Sequence, residues 1–154
     1  MIVPNFKDGD AMNWETEMLI SGNAYKRVYE KRLEGLKSKY GFKRIDLDIL
    51  YFLCRYRQRN TSKEITEQNQ YTKGHVSQSI ERIVKKGLVR SMPDEADRRC
   101  LRIIPEESAE AVYAKMHQVR EQMFGDIFRG ISQKDIGAFE RVSQKVYENM
   151  HEEV

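Results

Sequence analysis

Residues 72–104 read TKGHVSQSIERIVKKGLVRSMPDEADRRCLRII, and the order of signals within them decides the fold. Thr72 is a helix N-cap, because its hydroxyl can accept from a backbone N–H of the first turn that has no intrahelical partner. Val76, Ile80, Ile83 and Val84 then repeat at helical spacing and are expected to face inward. Gly87 ends that helix. Two short runs follow, Leu88–Met92 and Cys100–Ile104, bracketing a loop that begins Pro93-Asp94-Glu95-Ala96. Runs of this kind around a Pro/Asp-containing loop predict a β-hairpin. The loop is too long for a tight turn and contains Asp97-Arg98-Arg99, so the hairpin makes a wing.

Immediately upstream, Thr61-Ser62-Lys63-Glu64 is a capping box that opens a short helix to about Gln68. Two helices joined by a few polar residues, the second amphipathic, form a helix-turn-helix candidate. Ile45, Ile49, Leu50, Leu53 and Tyr56 place the buried face of an earlier helix over about 43–56. Phe42 packs at its entrance, and Arg55, Arg57 and Arg59 close its C-terminal end.

Long helices flank this centre. Met18, Tyr25, Val28, Tyr29, Leu33, Leu36 and Tyr40 make one apolar stripe over 12–40, with a stop at Gly41. Pro105, read as a first helical position, and Glu106 and Glu107 after it open a helix with the stripe Ala109, Val112, Met116, Val119, Met123 and Ile127. It stops near Gly130. Ser132 caps the last helix, with Asp135 at its third position and Ile131 able to staple onto Ile136. Phe139, Val142, Val146 and Met150 continue that stripe. The fold class is therefore mainly α: a winged helix-turn-helix with six helices and a small hairpin, in one domain over 1–154.

Charge is distributed unevenly. Residues 43–102 hold fourteen Lys and Arg against eight Asp and Glu, a net +6, whereas 1–42 sum to +1 and 103–154 to −4. A basic middle between neutral and acidic ends fits a central nucleic-acid reader flanked by helices with another task, the alternative being chance clustering on a solvated surface. Apolar residues at 40% and charged residues at 33% fit neither a disordered chain nor a membrane protein. No apolar run approaches the roughly 20 residues of a spanning helix, and residues 1–10 lack a secretory layout. A cytoplasmic protein is expected. Cys54 and Cys100 do not suggest a disulfide framework, and His75, His117 and His151 lack metal-ligand spacing, so neither a metal nor another cofactor is expected. No phosphate-cradling glycine loop or nucleophile signature is present, which argues against an enzyme.

The ordered pattern resembles the MarR family of regulators along nearly the whole chain. The family motif L-T-x-x-Q-x-x-V-L-x-x-L meets Phe42, Lys43, Asp46, Ile49, Leu50 and Leu53, matching at its apolar positions but not at its Thr and Gln. Glu64-Ile65-Thr66, then Val76-Ser77 with Ile80 and Ile83, and Gly87-Leu88-Val89-Arg90 follow in the family's order. Asp97-Arg98-Arg99 in the wing, eight residues beyond Val89, is the most specific element. Ile104-Pro105 replaces the usual Leu-Thr, and the family's downstream Gly is absent. The resemblance implies a homodimer formed by the terminal helices (12–40 and 106–152) and a DNA-binding lobe over 43–104 that meets a roughly palindromic duplex operator.

With Val76, Ile80 and Ile83 inward, the helix opened by Thr72 turns Gly74, His75, Gln78 and Arg82 outward, with Lys73 and Ser77 on the margins. A helix fits the major groove, where Gln can read adenine and Arg can take a guanine edge or a phosphate. Thr72 offers a capping hydroxyl and nearby backbone donors to a phosphate. Arg98 or Arg99 at a loop tip can enter a narrow minor groove, and Arg90 is a generic phosphate candidate. A carboxylate repels phosphate, so the resemblance gives Asp97 the role of holding a neighbouring arginine in a fixed fork. For each of these residues the plainer reading is a solvated surface.

The apolar stripes of the terminal helices exceed what one small core covers, and Met18, Phe139, Val142, Val146 and Met150 are expected at a dimer contact. Tyr25, Tyr29, Tyr51, Tyr56 and Tyr113 are candidates for an effector pocket for an aromatic or amphipathic molecule, or else are core residues. Cys54 reads as a buried inert thiol and Cys100 as a wing residue, with thiol-based redox sensing as an alternative. An architectural or protein-interaction winged helix is the other alternative.

Overall fold

The computed structural model describes residues 23–69 and 71–152. The expected helical stretch over 12–22, with Met18, and the side chain of Met150 lie outside the described residues. Eight elements follow in order: α1 (Asn23–Tyr40), α2 (Arg44–Arg55), α3 (Ser62–Asn69), α4 (Lys73–Lys85), β1 (Val89–Pro93), β2 (Leu101–Pro105), α5 (Glu107–Ile127) and α6 (Gln133–Glu152). Six helices and a two-stranded antiparallel hairpin make the described residues a winged helix-turn-helix.

Local chemistry explains the boundaries. Thr61 accepts the Glu64 N–H at 3.3 Å, while Glu64 reaches back to the Thr61 N–H at 3.0 Å, closing the capping box before α3. The Thr72 hydroxyl accepts from the His75 N–H at 3.3 Å, and Ser132 accepts from the Asp135 N–H at 3.1 Å. Both α1 and α4 end in a glycine with positive φ, Gly41 at 64° and Gly87 at 69°. In each case the next residue's N–H turns back to an orphan helix carbonyl: Phe42 to Lys37 and Leu88 to Ile83, both at 3.0 Å.

The strands run one residue later than the sequence pattern places them, and Pro105 is the last residue of β2, not a first helical position. It pairs with Val89 at the end of the ladder, where proline's missing N–H costs least. The Glu106 N–H then bonds the Leu88 carbonyl at 2.8 Å before α5 begins at Glu107.

Two compact units partition the chain, one over 34–117 and one joining the described residues 23–33 to 118–152; α1 and α5 contribute to both. In the first, α2 is central, packing against α3, α4 and β2. More of it is therefore buried than a single stripe would be: Leu47, Phe52 and Cys54 join Ile49, Leu50 and Leu53, while Ile45 and Tyr56 are only half-buried. Ile65, Val76, Ile80, Ile83, Val89 and Ile103 complete much of this core. In the second unit Tyr25, Tyr29, Leu33, Met123, Phe124 and Ile136 are buried, and Arg32 pairs with Asp126 at 2.8 Å. Val28 and Val84, read as inward-facing, are 41% and 39% exposed. Ile131 also stays largely exposed, while Ile136 is buried.

Candidate nucleic-acid interface

α4 packs against α2, α3 and β1 and buries Val76, Ser79, Ile80 and Ile83. Its opposite side is open: Lys73, Gly74, His75, Ser77 and Gln78 are all exposed, with Glu81 and Lys85 further along. The Thr72 cap takes the His75 N–H and the Thr72 carbonyl takes the Val76 N–H at 3.0 Å. The N–H groups of Lys73 and Gly74 belong to the first turn, where a helix supplies no acceptor of its own. With the partial positive charge of the helix start, they suit an approaching anion. A Cβ at Gly74 would meet nothing within 4 Å, so no neighbour in the lobe requires glycine there.

Arg82 stands elsewhere than the helical wheel places it. Its guanidinium folds back onto Asp46 in the first turn of α2, with Nη2 at 2.7 Å and Nε at 3.2 Å from Oδ1. The Ser79 hydroxyl donates to the same oxygen at 2.6 Å, and the Lys43 N–H donates to Oδ2 at 2.8 Å. Asp46 is fully buried. Burial alone would raise its carboxyl, but the donors from Arg82, Ser79 and Lys43 outweigh it and hold the group below the ordinary carboxylate range. A second α2 carboxylate, Asp48, accepts from the Tyr71 hydroxyl at 2.6 Å just before α4. Sequence reasoning missed Asp46, Asp48 and Ser79 as parts of the site. The available signal was spacing: Ser79 and Arg82 lie three apart, on one side of a helix.

The wing tip carries Arg98 and Arg99, both exposed, and among the described residues neither side chain has an ion pair. Among the described residues Asp97 does not fork an arginine. Its Oδ1 accepts the backbone N–H of Arg99 at 3.0 Å, a local turn that fixes the chain rather than a guanidinium. The held arginine is Arg102, whose Nε donates to Asp94, while Asp94 Oδ1 accepts the N–H groups of Ala96 and Asp97 at 2.9 and 3.0 Å. Arg90 pairs with Glu106 at 3.1 Å on the surface.

The five tyrosines fall into two sets. Tyr25 and Tyr29 are buried core residues of one unit, and an Arg120 guanidinium lies 5.2 Å from the Tyr29 ring. In the other unit Tyr51 and Tyr113 are half-buried with ring centroids 5.2 Å apart, Tyr113 stacks on His117, and Tyr56 lies beside Phe52. Burial raises the Tyr113 phenol, with Arg55 opposing it. Cys54 is buried and its thiol is pushed up to about 12, chiefly by burial and then by Glu110. Among the described residues no three His, Cys, Asp or Glu side chains converge as a metal site, and no helix is long and apolar enough to cross a membrane.

A family model described as the MarR family matches residues 40–99, the end of α1 through the wing tip. A MarR family protein from Bacillus stearothermophilus is 20% identical, covers 89% of this chain and 94% of its own, and superposes with a TM-score of 0.69. The MarR protein from Peptoclostridium difficile is 14% identical, covers 99% and 94%, and has a TM-score of 0.73. MepR, a transcription regulator of the Staphylococcus aureus multidrug efflux pump MepA, is 16% identical, covers 87% and 97%, and has a TM-score of 0.63. At these identities the likeness is one of fold. No curated protein matches by sequence.

Proposed function

We propose that this chain, whose residues 40–99 match a model of the MarR family, is a sequence-specific regulator of transcription that grips duplex DNA as a homodimer. It acts in the cytoplasm as a repressor, released when a small aromatic or amphipathic molecule binds. One observation carries the reading: the open polar side of α4 and two exposed arginines without ion pairs among the described residues belong to the same compact unit.

The roles follow from chemistry. Gln78 and Ser77 read base edges in the major groove, Lys73 and His75 flank them, and Thr72 with the first-turn N–H groups takes a phosphate. Gly74 lets the duplex backbone come close. Arg98 and Arg99 enter the minor groove, Asp97 shapes their loop, and Arg90 adds a phosphate contact. Two copies related by a two-fold axis meet half-sites about one helical turn apart. Phe139, Val142 and Val146 of α6, with Met18 and Met150, are the proposed contact between copies. Tyr51, Tyr56 and Tyr113 are the better effector candidates, since Tyr25 and Tyr29 are fully committed to a core. The raised thiol of Cys54 argues against redox release through that residue.

Selection of bound sequences from random duplexes tests the reading, followed by titrations at several salt concentrations. A palindromic consensus is expected. Arg98→Ala with Arg99→Ala should flatten the salt dependence by up to about 1.8 in log–log slope, at about 0.9 for each phosphate no longer neutralised. No enrichment, or an unchanged slope, would overturn it. Screening aromatic carboxylates and amphipathic cations for release then tests the effector.

A further inference from the structure

We infer that Asp46 is a positioning residue for duplex recognition: with Ser79 it holds Arg82 away from the nucleic acid and fixes α4 on α2. The inference rests on the DNA-binding reading above.

Three observations support it. First, the arrangement is complete. The buried carboxylate receives Ser79, two guanidinium nitrogens and the Lys43 N–H, which accounts for both oxygens. It also sits in the first turn of α2, where the helix start favours a negative charge. Swinging Arg82 out to a phosphate would leave that fully buried carboxylate short of its strongest donors. Second, the same helix holds the approach to α4 through Asp48 and the Tyr71 hydroxyl, so two carboxylates two residues apart fix α4 near its start and along its length. Third, the group that meets Arg82 is a carboxylate and not an amide, at 2.7 Å from the guanidinium. A full negative charge there neutralises Arg82 in a way an amide would not.

The consequence is a division of labour along α4. Its first turns read DNA, while Ser79 and Arg82, further along, set the pitch at which they are presented. A small rotation of α4 moves every base-reading side chain at once, so weakening this link should relax discrimination at all contacted positions together.

The test compares Arg82→Gln, Asp46→Asn and the double variant in the full chain, against the selected operator and an unrelated duplex over a range of salt. Arg82→Gln should keep the wild-type salt slope while the operator-to-unrelated affinity ratio falls on the order of tenfold, the size of one displaced base contact. Asp46→Asn should free Arg82, raising affinity for unrelated duplex and steepening the slope by about 0.9. The double variant places two amides in hydrogen-bonding reach and should recover part of the ratio, which also keeps the test valid if a single variant folds poorly. An Arg82→Gln slope flattened by about 0.9 places Arg82 on a phosphate, and discrimination that disappears at a single base pair places it on a base; either overturns the inference. Strictly additive effects in the double variant do so too. Failure of the wild-type chain to prefer any sequence would instead overturn the DNA-binding reading itself.

Discussion

Arg102 Nε donates to Asp94 Oδ2 at 2.5 Å, while Nη1 of the same guanidinium donates to Asn60 Oδ1 at 3.0 Å. One side chain thus ties the wing loop to the segment ahead of α3, where the Ile103 N–H also bonds the Asn60 carbonyl at 2.8 Å. Arg102→Ala should speed hydrogen exchange at Ile103 and make the loop at 94–100 a site of proteolytic cleavage, while the helices keep their protection. Unaltered exchange at Ile103 would show that the wing holds itself.

Acid should loosen the same loop. The Asp97 N–H, then Arg102 and the Ala96 N–H, hold the Asp94 carboxyl below its ordinary value. A group depressed in the folded state stabilises above its unfolded value, near about 4, and loses that contribution as pH falls through the folded one. Asp46 obeys the same sign, since its donors outweigh the effect of burial. Asp46→Asn should cost about 1.5–3 kcal/mol at neutral pH, the range for a hydrogen bond to a charged group. It should also flatten the acid limb of stability. Denaturant midpoints between pH 3 and 7 measure both, and parallel limbs in the two proteins would contradict the assignment.

Thiol chemistry should separate the two cysteines. Cys54 is buried with its thiol near about 12, whereas Cys100 is half-exposed on the wing. An aromatic disulfide reagent at pH 8 should label Cys100 in the native chain and Cys54 only after unfolding, because the thiolate is the nucleophile. Fast labelling at both positions would restore Cys54 as a candidate sensor.

Self-association should depend on α6. Val142 is 63% exposed, an apolar side chain left in water by the single chain. Val142→Glu should shift sedimentation at micromolar concentration from dimer toward monomer and lower operator affinity, with little change in helix content. A variant that stays dimeric would place the contact elsewhere.

Much of this architecture is legible locally. The capping box at Thr61–Glu64, the caps at Thr72 and Ser132, and the glycine stops at Gly41 and Gly87 each rest on residues three to five apart, so spacing alone reveals them. What misled were residues whose partners lie far along the chain. Asp46 looks like a solvent-facing charge in an amphipathic pattern until Arg82 arrives from 36 positions away. Arg82 sits on the flank of α4, and a long side chain can bend back toward a buried acid. Pro105 was ambiguous for a different reason: a strand end and a helix start both tolerate a residue without an N–H. Val84 keeps helical spacing with the core yet stays exposed, because periodicity gives a direction and not the reach of the neighbouring element.

The hairpin has a bearing on life at high concentration. Two-stranded ribbons present backbone donors and acceptors along their margins, an invitation for copies of the same ribbon to stack into aggregates. Here β2 spends part of its outer margin on Asn60 and Thr61, through the Ile103 N–H and a bridge between Thr61 and Arg102. The outer margin of β1 carries charged Arg90 and finishes in Pro93, which has no hydrogen to donate. The wing can therefore project into solvent without recruiting its own kind.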